Sequence, residues 1–374
     1  MAKTVSYAVR DGSITGAMRR ILRELLEKAL VDAVLVPMEL PSRENVVQSV
    51  VTQPAILDAA NPLAPVLPVN TASIVSKITR LAPSEKKLAV VARPCELRAL
   101  VELVKLKQAS LRNIVLIGMD CFGTYSVTDY KQFAKENQNT GDAFVRICKA
   151  GEADSRLREA CQICEYPYPL VSDITVGLIG RDFDTEIGLL ANTAVGEQLL
   201  DGLGLPEAKD DGRQAAIEEM VAARVKRRDE VFAQTIAETK GLERLISVFA
   251  PCIGCHNCRD MCPICYCREC VFDSDTFAFE ADKYFGWSCK KGALRVPTDT
   301  LLFHLTRLNH MDTSCVGCGL CQAACPNNVP VFRIFRLVGS RVQPLFGYVP
   351  GRSIDDPLPL TTFKEAEFEK VGFE

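Results

Sequence analysis

Apolar residues recur at helical spacing in TGAMRRILRELLEKALV, residues 15 to 31. Met18, Ile21, Leu22, Leu25, Leu26 and Ala29 form one stripe, with arginines and glutamates opposite. The pattern predicts a surface helix packed on a core, and it runs into AVLVP (33 to 37), a β-branched stretch that reads as a strand. Residues 41 to 73, rich in Pro, Asn and Val, show no clear period, and within them LAPVLPVN reads as ordered loop lining something. KLAVVARPCELRALVELVKLKQ then predicts a strand at 87 to 92, a loop carrying Cys95 and a helix from 96 to 107. NIVLIGMDCFGTYS repeats the plan, with a strand at 113 to 118 and a loop carrying Cys121. A further strand, DITVGLIG, begins at Asp173, and from 184 to 248 the chain reads as helical. The charge-dense stretch RQAAIEEMVAARVKRRDEVFAQTIAETKGLERLI within it reads as a solvated face. Alternating strands and helices predict an α/β domain with a mainly parallel sheet, in which ligands collect beyond the carboxyl ends of the strands. Cys95 and Cys121 both fall at that edge.

Composition changes this picture at one point. The chain of 374 residues has seventeen cysteines and only three histidines. It has no run of eighteen apolar residues, and MAKTVSYAVRDGS lacks the blocks of an export signal, so a cytoplasmic protein without membrane insertion is expected. A formal net charge of -3 gives no polyanion-binding signature, and no nucleic-acid partner is expected. Disulfide-dense chains are small and secreted, so the thiols point instead to metal ligation.

The spacing names the metal centre. Residues 252 to 263 spell C-x2-C-x2-C-x3-C-P, and CVGCGLCQAACP, 315 to 326, spells it again. In two-cluster ferredoxins the first three cysteines of such a run hold one cluster and the fourth holds the other. Cys252, Cys255, Cys258 and Cys325 are therefore expected to ligate one 4Fe-4S cluster, and Cys315, Cys318, Cys321 and Cys262 a second. Structural zinc, which also takes C-x2-C pairs, is the alternative. Between the runs lie Cys265, Cys267, Cys270 and Cys289, which form either a third cluster or a set of unligated thiols. Cys95, Cys121, Cys161 and Cys164 make a fourth possible set and leave only Cys148 over. His256, inside a cluster loop, is placed to donate a hydrogen bond to cluster sulfur. His304 and His310, on an amphipathic helix opened by Pro297 and Thr298, read as packing residues. Neither G-x-G-x-x-G nor a P-loop occurs.

These blocks resemble a known family, the beta subunits of coenzyme F420-reducing hydrogenase and F420-linked formate dehydrogenase. The likeness rests on Pro94, Cys95, Glu96 and Leu100, on DCFGTYS, and on CQICEYPYPLVSDITVG. It implies an FAD beside a 4Fe-4S cluster on the α/β domain, with Asn70, Arg93, Thr124, Asp173 and Gly177 as cofactor-binding candidates. The C-terminal blocks CKKGALRVPTDTLLFHLTRLNH and VQPLFGYVPGRSIDDPLPL are similar to proteins of heterodisulfide-reductase-type assemblies. The expected organisation is an α/β FAD-binding domain with one cluster over 1–182 and a helical segment over 183–250. A ferredoxin-like α+β domain with an enlarged insertion follows over 251–337, and an extended tail over 338–374 is suited to lying on another subunit. The expected function is electron transfer as an oxidoreductase subunit. It would run between a small two-electron carrier (F420, NAD(P)H or similar) and a heterodisulfide-reductase-like, hydrogenase or formate dehydrogenase subunit. The alternative is a polyferredoxin-like wire and assembly module without flavin.

Overall fold

A computed structural model describes residues 3–149, 154–208, 212–277, 279–292 and 299–361. The chain divides into two compact units. The first comprises residues 1–229 with 316–319 and 350–358, and the second comprises 230–315, 320–349 and 359–374.

The first unit is built on seven strands: β1 (Thr4–Ala8), β2 (Ala33–Glu39), β3 (Val46–Val51), β4 (Leu88–Ala92), β5 (Ile114–Met119), β6 (Ile174–Gly177) and β7 (Glu186–Ala191). Their order is β1-β7-β6-β5-β4-β2-β3. The central strands β2, β4, β5 and β6 run parallel, whereas β3, β7 and β1 are added antiparallel at the flanks. The parallel strands are continuous apolar runs because helices cover both faces. Val34, Val36, Ala89, Val91, Val115 and Ile117 enter one core together with the helix Ile14–Glu27. Leu35, Val90 and Leu116, pointing the other way, are buried as well. On that side the helix Pro94–Lys105 packs on β5 and on the helix Thr71–Thr79.

Register decides where the chemistry collects. Ala92 pairs with Gly118 and Met119 with Val176, so the segments after β4, β5 and β6 leave the sheet at one edge. Buried Asp120 shapes that edge. Its carboxylate accepts the backbone N–H groups of Leu178 at 2.9 Å and Ile179 at 3.1 Å and pairs with Arg213, the first residue of the helix Arg213–Thr239.

Several expectations are corrected. The stretch 184–248 is not helical throughout, since β7 lies within it, and neither β3, in the uncalled stretch 41–73, nor β1 was anticipated. All three are short flanking strands, and residues such as Gln48, Ser49 and Gly188 blur their alternation. The first unit extends well past residue 182, because β7 and the helix Ala194–Leu203 complete its sheet and core. The segment after 338 is not an extended tail at its start, since the helix Val331–Leu345 continues through it. Further on, the buried Arg98 guanidinium donates to the carbonyls of Pro350 at 2.8 Å and Val316 at 3.1 Å, and Glu102 accepts the Gly351 N–H. Residues 350–358 are thereby fastened to their own chain.

Among its described residues the second unit has helices and turns and no strand, so the α+β expectation for it is also corrected. The helix Thr300–Met311 packs against Leu242–Phe249 and Val331–Leu345. Asp299 caps it, while Pro297 and Thr298 lie outside the described residues.

Candidate iron-sulfur and cofactor sites

In the first unit, Cys95, Cys121, Cys161 and Cys164 line one small enclosed cavity together with Cys318. Cys95 is the second residue of the helix Pro94–Lys105, where a proline sits at no cost because its missing N–H has no helical partner. Glu96 locks this corner: it accepts the Arg93 N–H at 2.9 Å, the Thr71 N–H at 2.8 Å and the Thr71 hydroxyl at 2.5 Å. Cys121 follows β5, its N–H bonded to the Pro167 carbonyl at 2.7 Å. Gly123 then takes φ +135°, and a Cβ there would stand 2.7 Å from Leu157 Cδ2 and 3.1 Å from Cys161 Cβ. Only glycine lets the two cysteine loops approach so closely.

Cationic donors surround these sulfurs. Arg93 Nη1 lies 3.7 Å from Cys121 Sγ, and Arg158 bonds Thr124 Oγ1 at 2.8 Å with its Nη2 3.9 Å from Cys161 Sγ. Burial works against ionisation of Cys161, yet Arg158 and the Thr124 hydroxyl outweigh it and hold the thiol below its ordinary value. Burial, with Glu96 and the neighbouring thiols adding, pushes Cys95 well above. Arg158 Nη1 is buried with no hydrogen-bond partner. An unused cationic donor facing a pocket of thiols is what a bound cluster, whose sulfides accept hydrogen bonds, would satisfy.

In the second unit, Cys252, Cys255, Cys258 and Cys325 line another enclosed cavity, the same four that the run spacing groups together. Gly254, at φ +66°, turns the run and aims its N–H at Cys252 Sγ, 3.5 Å away. Val329 N–H points at Cys325 Sγ from 3.3 Å. Buried Arg307 donates to Cys258 Sγ at 3.1 Å. Burial pushes the Cys258 thiol up to about 11, with Arg307 pulling the other way.

His304 is not a mere packing residue. It stacks on Phe249, its Nε2 lies 3.4 Å from Cys252 Sγ, and burial pushes it down to about 4, leaving it neutral. His256 instead pairs its Nδ1 with Asp273 at 2.7 Å and stacks on Phe303, and His310 is exposed.

The remaining thiols are less uniformly placed. Cys262 Sγ lies 3.9 Å from Met311 Sδ, and Cys315 offers its carbonyl to Gln343. Cys318, grouped by spacing with Cys315 and Cys321, lines the first unit's thiol cavity. Cys265 is pushed up by burial, with Cys267 and Cys270 among its charged neighbours. Cys289 is exposed on the helix Ala281–Lys291. Among the described residues no three His, Cys, Asp or Glu side chains converge on a point fit for one metal ion. Zinc needs four ligands at about 2.3 Å from a single centre, whereas each thiolate of a cubane binds its own iron.

A larger cavity of about 820 Å³ opens at the same sheet edge of the first unit. Phe122, Leu178, Ile179 and Phe183 supply apolar walls, and Lys149, Arg181, Arg224 and Arg227 supply positive charge. Arg224 also lines the thiol cavity and donates to the Phe122 carbonyl at 2.7 Å. None of the five expected cofactor residues lines the large cavity. Arg93 and Thr124 belong to the thiol cavity. Asn70 is buried as the cap of the helix Thr71–Thr79, and Asp173 is bonded to Leu116 N–H and the Thr193 hydroxyl. Gly177 packs against Arg213 and Leu190. Leftover Cys148 lines the large cavity, its thiol raised by burial to about 12.

The sequence reading missed Arg158, Arg224 and Arg307. Arg307 was detectable: it shares a helical stripe with Phe303, His304 and Met311, all buried, and a cation on an apolar stripe demands an anion.

Comparison with known proteins agrees with this layout. Residues 85–205, which contain Cys95, Cys121, Cys161 and Cys164, match the family model for the C terminus of the coenzyme F420 hydrogenase/dehydrogenase beta subunit. The F420-dependent formate dehydrogenase subunit beta of Methanocaldococcus jannaschii is 28% identical over 386 residues, covering 94% of this chain and 95% of that protein. The chain is similar to this beta-subunit family, through that match and through a relative aligned over nearly its whole length. A second relative, F420-dependent formate dehydrogenase 1 subunit beta of Methanococcus maripaludis, is 27% identical over 94% of both chains. Both alignments to these relatives thus run across both units. Residues 310–331 also match a 4Fe-4S binding domain, and the first run, 252–263, lies outside that match. A chain in the solved F420-reducing NiFe hydrogenase complex from Methanosarcina barkeri gives a TM-score of 0.47 at 16% identity, covering 64% of this chain and 94% of that one. Among the described residues no helix is long and apolar enough to cross a membrane.

Proposed function

We propose that this chain is an FAD- and 4Fe-4S-bearing electron-transfer component of a multi-subunit oxidoreductase. Its electrons would pass between a two-electron carrier, F420 or a nicotinamide, and a partner redox protein of the formate dehydrogenase, hydrogenase or heterodisulfide-reductase type. One observation carries the reading: the 820 Å³ cavity and the five-thiol cavity share Arg224 in their walls. Cavities of several hundred Å³ with apolar walls and a few convergent charges are what cofactors occupy.

Bound FAD would supply the exchange between a hydride pair and single electrons. The chain's own residues would do the rest. Arg181 and Arg227, with Lys149 shared with Asp182 and Asp184, would offer donors to a pyrophosphate. Phe122, Leu178 and Ile179 exclude water from one wall. Arg224, between the two cavities, favours negative charge on either side. Arg93 and Arg158 offset the charge that thiolate ligation brings into a buried site. In the second unit Cys252, Cys255, Cys258 and Cys325 would hold one cluster. By their spacing Cys262, Cys315, Cys318 and Cys321 would hold another, and Cys265, Cys267, Cys270 and Cys289 a third.

Anaerobic purification with iron and flavin analysis, followed by stopped-flow mixing with reduced F420 and with NADH, tests the proposal. Bound FAD bleached by one of these carriers is expected. Iron without flavin would leave the polyferredoxin-like wire, and a colourless zinc protein would remove both readings. Co-purification from native cells would identify the partner protein.

A further inference from the structure

Arg307 lies near the middle of the helix Thr300–Met311 and is 3% exposed. Its Nη1 donates to Cys258 Sγ at 3.1 Å and its Nη2 to the Cys258 carbonyl at 3.0 Å, while Nε is buried with no hydrogen-bond partner. The guanidinium also lies over the rings of Phe303 and Phe335, 5.5 and 5.3 Å from their centroids. Phe303 in turn forms a small apolar nucleus with Cys258 and Phe272, against which Cys270 and Cys321 pack. Cys258, Cys321 and Cys270 come from the three different cysteine sets of this unit. Cys262 and Cys265 also stand close enough to interact with the Arg307 charge.

A guanidinium buried this deeply is costly unless negative charge faces it. Among the described residues no carboxylate is hydrogen-bonded or ion-paired to it; its polar partners are the Cys258 and Cys265 thiols and the Cys258 carbonyl. Neutral thiols cannot balance the charge, but thiolate-ligated clusters, which gain negative charge on reduction, can. The unused Nε–H needs an acceptor, and a cluster sulfide is one.

We propose that Arg307 is a positioning residue shared by the second unit's clusters: its single positive charge stabilises their reduced forms and raises their reduction potentials together. The proposal rests on these thiols holding iron-sulfur clusters. Each cluster gains one electron on reduction, and the fixed cation lowers the energy of that extra charge wherever it resides. The effect adds for each cluster it faces, so all of their potentials move in one direction when the cation is removed.

The test is a dithionite titration of the full anaerobic chain followed by electron paramagnetic resonance, on the native protein, Arg307→Lys and Arg307→Met. Signals lost in Cys258→Ser and Cys262→Ser identify the second unit's clusters. In Arg307→Met these clusters should become harder to reduce, with the reduced-to-oxidised ratio at fixed potential falling at least tenfold, or 59 mV for one electron. Arg307→Lys, which keeps the charge, should stay nearer the native value. Should Arg307→Met lose iron while Arg307→Lys retains it, the need for a cation is upheld. Unmoved potentials in a fully loaded Arg307→Met, or equal loss of iron from both variants, would overturn the proposal. A native chain without clusters would sink the iron-sulfur reading itself.

Discussion

The two thiol cavities reach similar chemistry by different construction. In the first unit Cys95, Cys121 and the Cys161/Cys164 pair are carried by three separate segments, two of them following adjacent parallel strands whose register sets their ends level. In the second, three of the four lining cysteines come from one short run, and only Cys325 is remote. Both cavities are buried, and both place an arginine against a cysteine sulfur: Arg93 and Arg158 in one, Arg307 in the other. A scaffold of strands can assemble a site from distant pieces because its core fixes their ends. A unit without strands among its described residues needs the spacing written into the chain.

This contrast predicts damage in different places. Replacing Cys121 by Ser should remove one cluster's worth of iron and leave both run-based clusters loaded, whereas replacing Cys325, fourth in its run, should empty the cluster expected at Cys252, Cys255 and Cys258 and spare the first cavity. Iron analysis with electron paramagnetic resonance of the anaerobic variants measures this, and loss of the same signal in both would erase the distinction.

Next in size is the buried Asp120–Arg213 pair of the first unit. Asp120→Ala leaves a buried cation and orphaned donors, and a loss of about 3–5 kcal/mol is expected in chemical unfolding. The fluorescence of Trp287 reports on the second unit, so following it beside far-ultraviolet dichroism would show whether the loss is confined to the sheet.

Gly123→Val should cost about 1–3 kcal/mol through overpacking against Leu157 and Cys161. It should also loosen the first cavity's cluster, visible as faster iron release to a chelator, with the run-based clusters retained.

The smallest effect concerns acid. Burial raises Asp154, but hydrogen bonds from Arg156 and Tyr125 outweigh it and hold its carboxyl below the ordinary value. The folded value is depressed, so the stabilisation is complete above the unfolded value near pH ~4 and is lost as pH falls through the lower folded one. The loop carrying Arg158 is fastened partly by this group. Asp154→Asn should lower the melting temperature by a few degrees at neutral pH, and the gap to the native protein should narrow as the solution is made strongly acid.

Much of this was legible in advance. The helix Ile14–Glu27, the strands β4 and β5 and the Cys95 and Cys121 loops follow from periodicity and from glycine and proline placement. Flavin residues guessed from position did not fall on the large cavity, since its walls come from Leu178 to Arg181 and from one face of a helix that reads as merely charged. Charge on a helix looks solvated in a sequence, and only packing tells that Arg224 turns inward.

The sequence by itself determined the thiol spacing of the two runs, because C-x2-C-x2-C gathers three sulfurs through local backbone geometry and needs little from the remainder of the fold. Tertiary structure alone decided that Cys318 lines the first unit's cavity, that a cofactor-sized space adjoins those thiols through Arg224, and that Arg307 rather than His256 reaches a cysteine sulfur. The reason is range. A run fixes neighbours a few bonds apart, whereas a buried charge finds its partners only when distant segments have packed and water has gone.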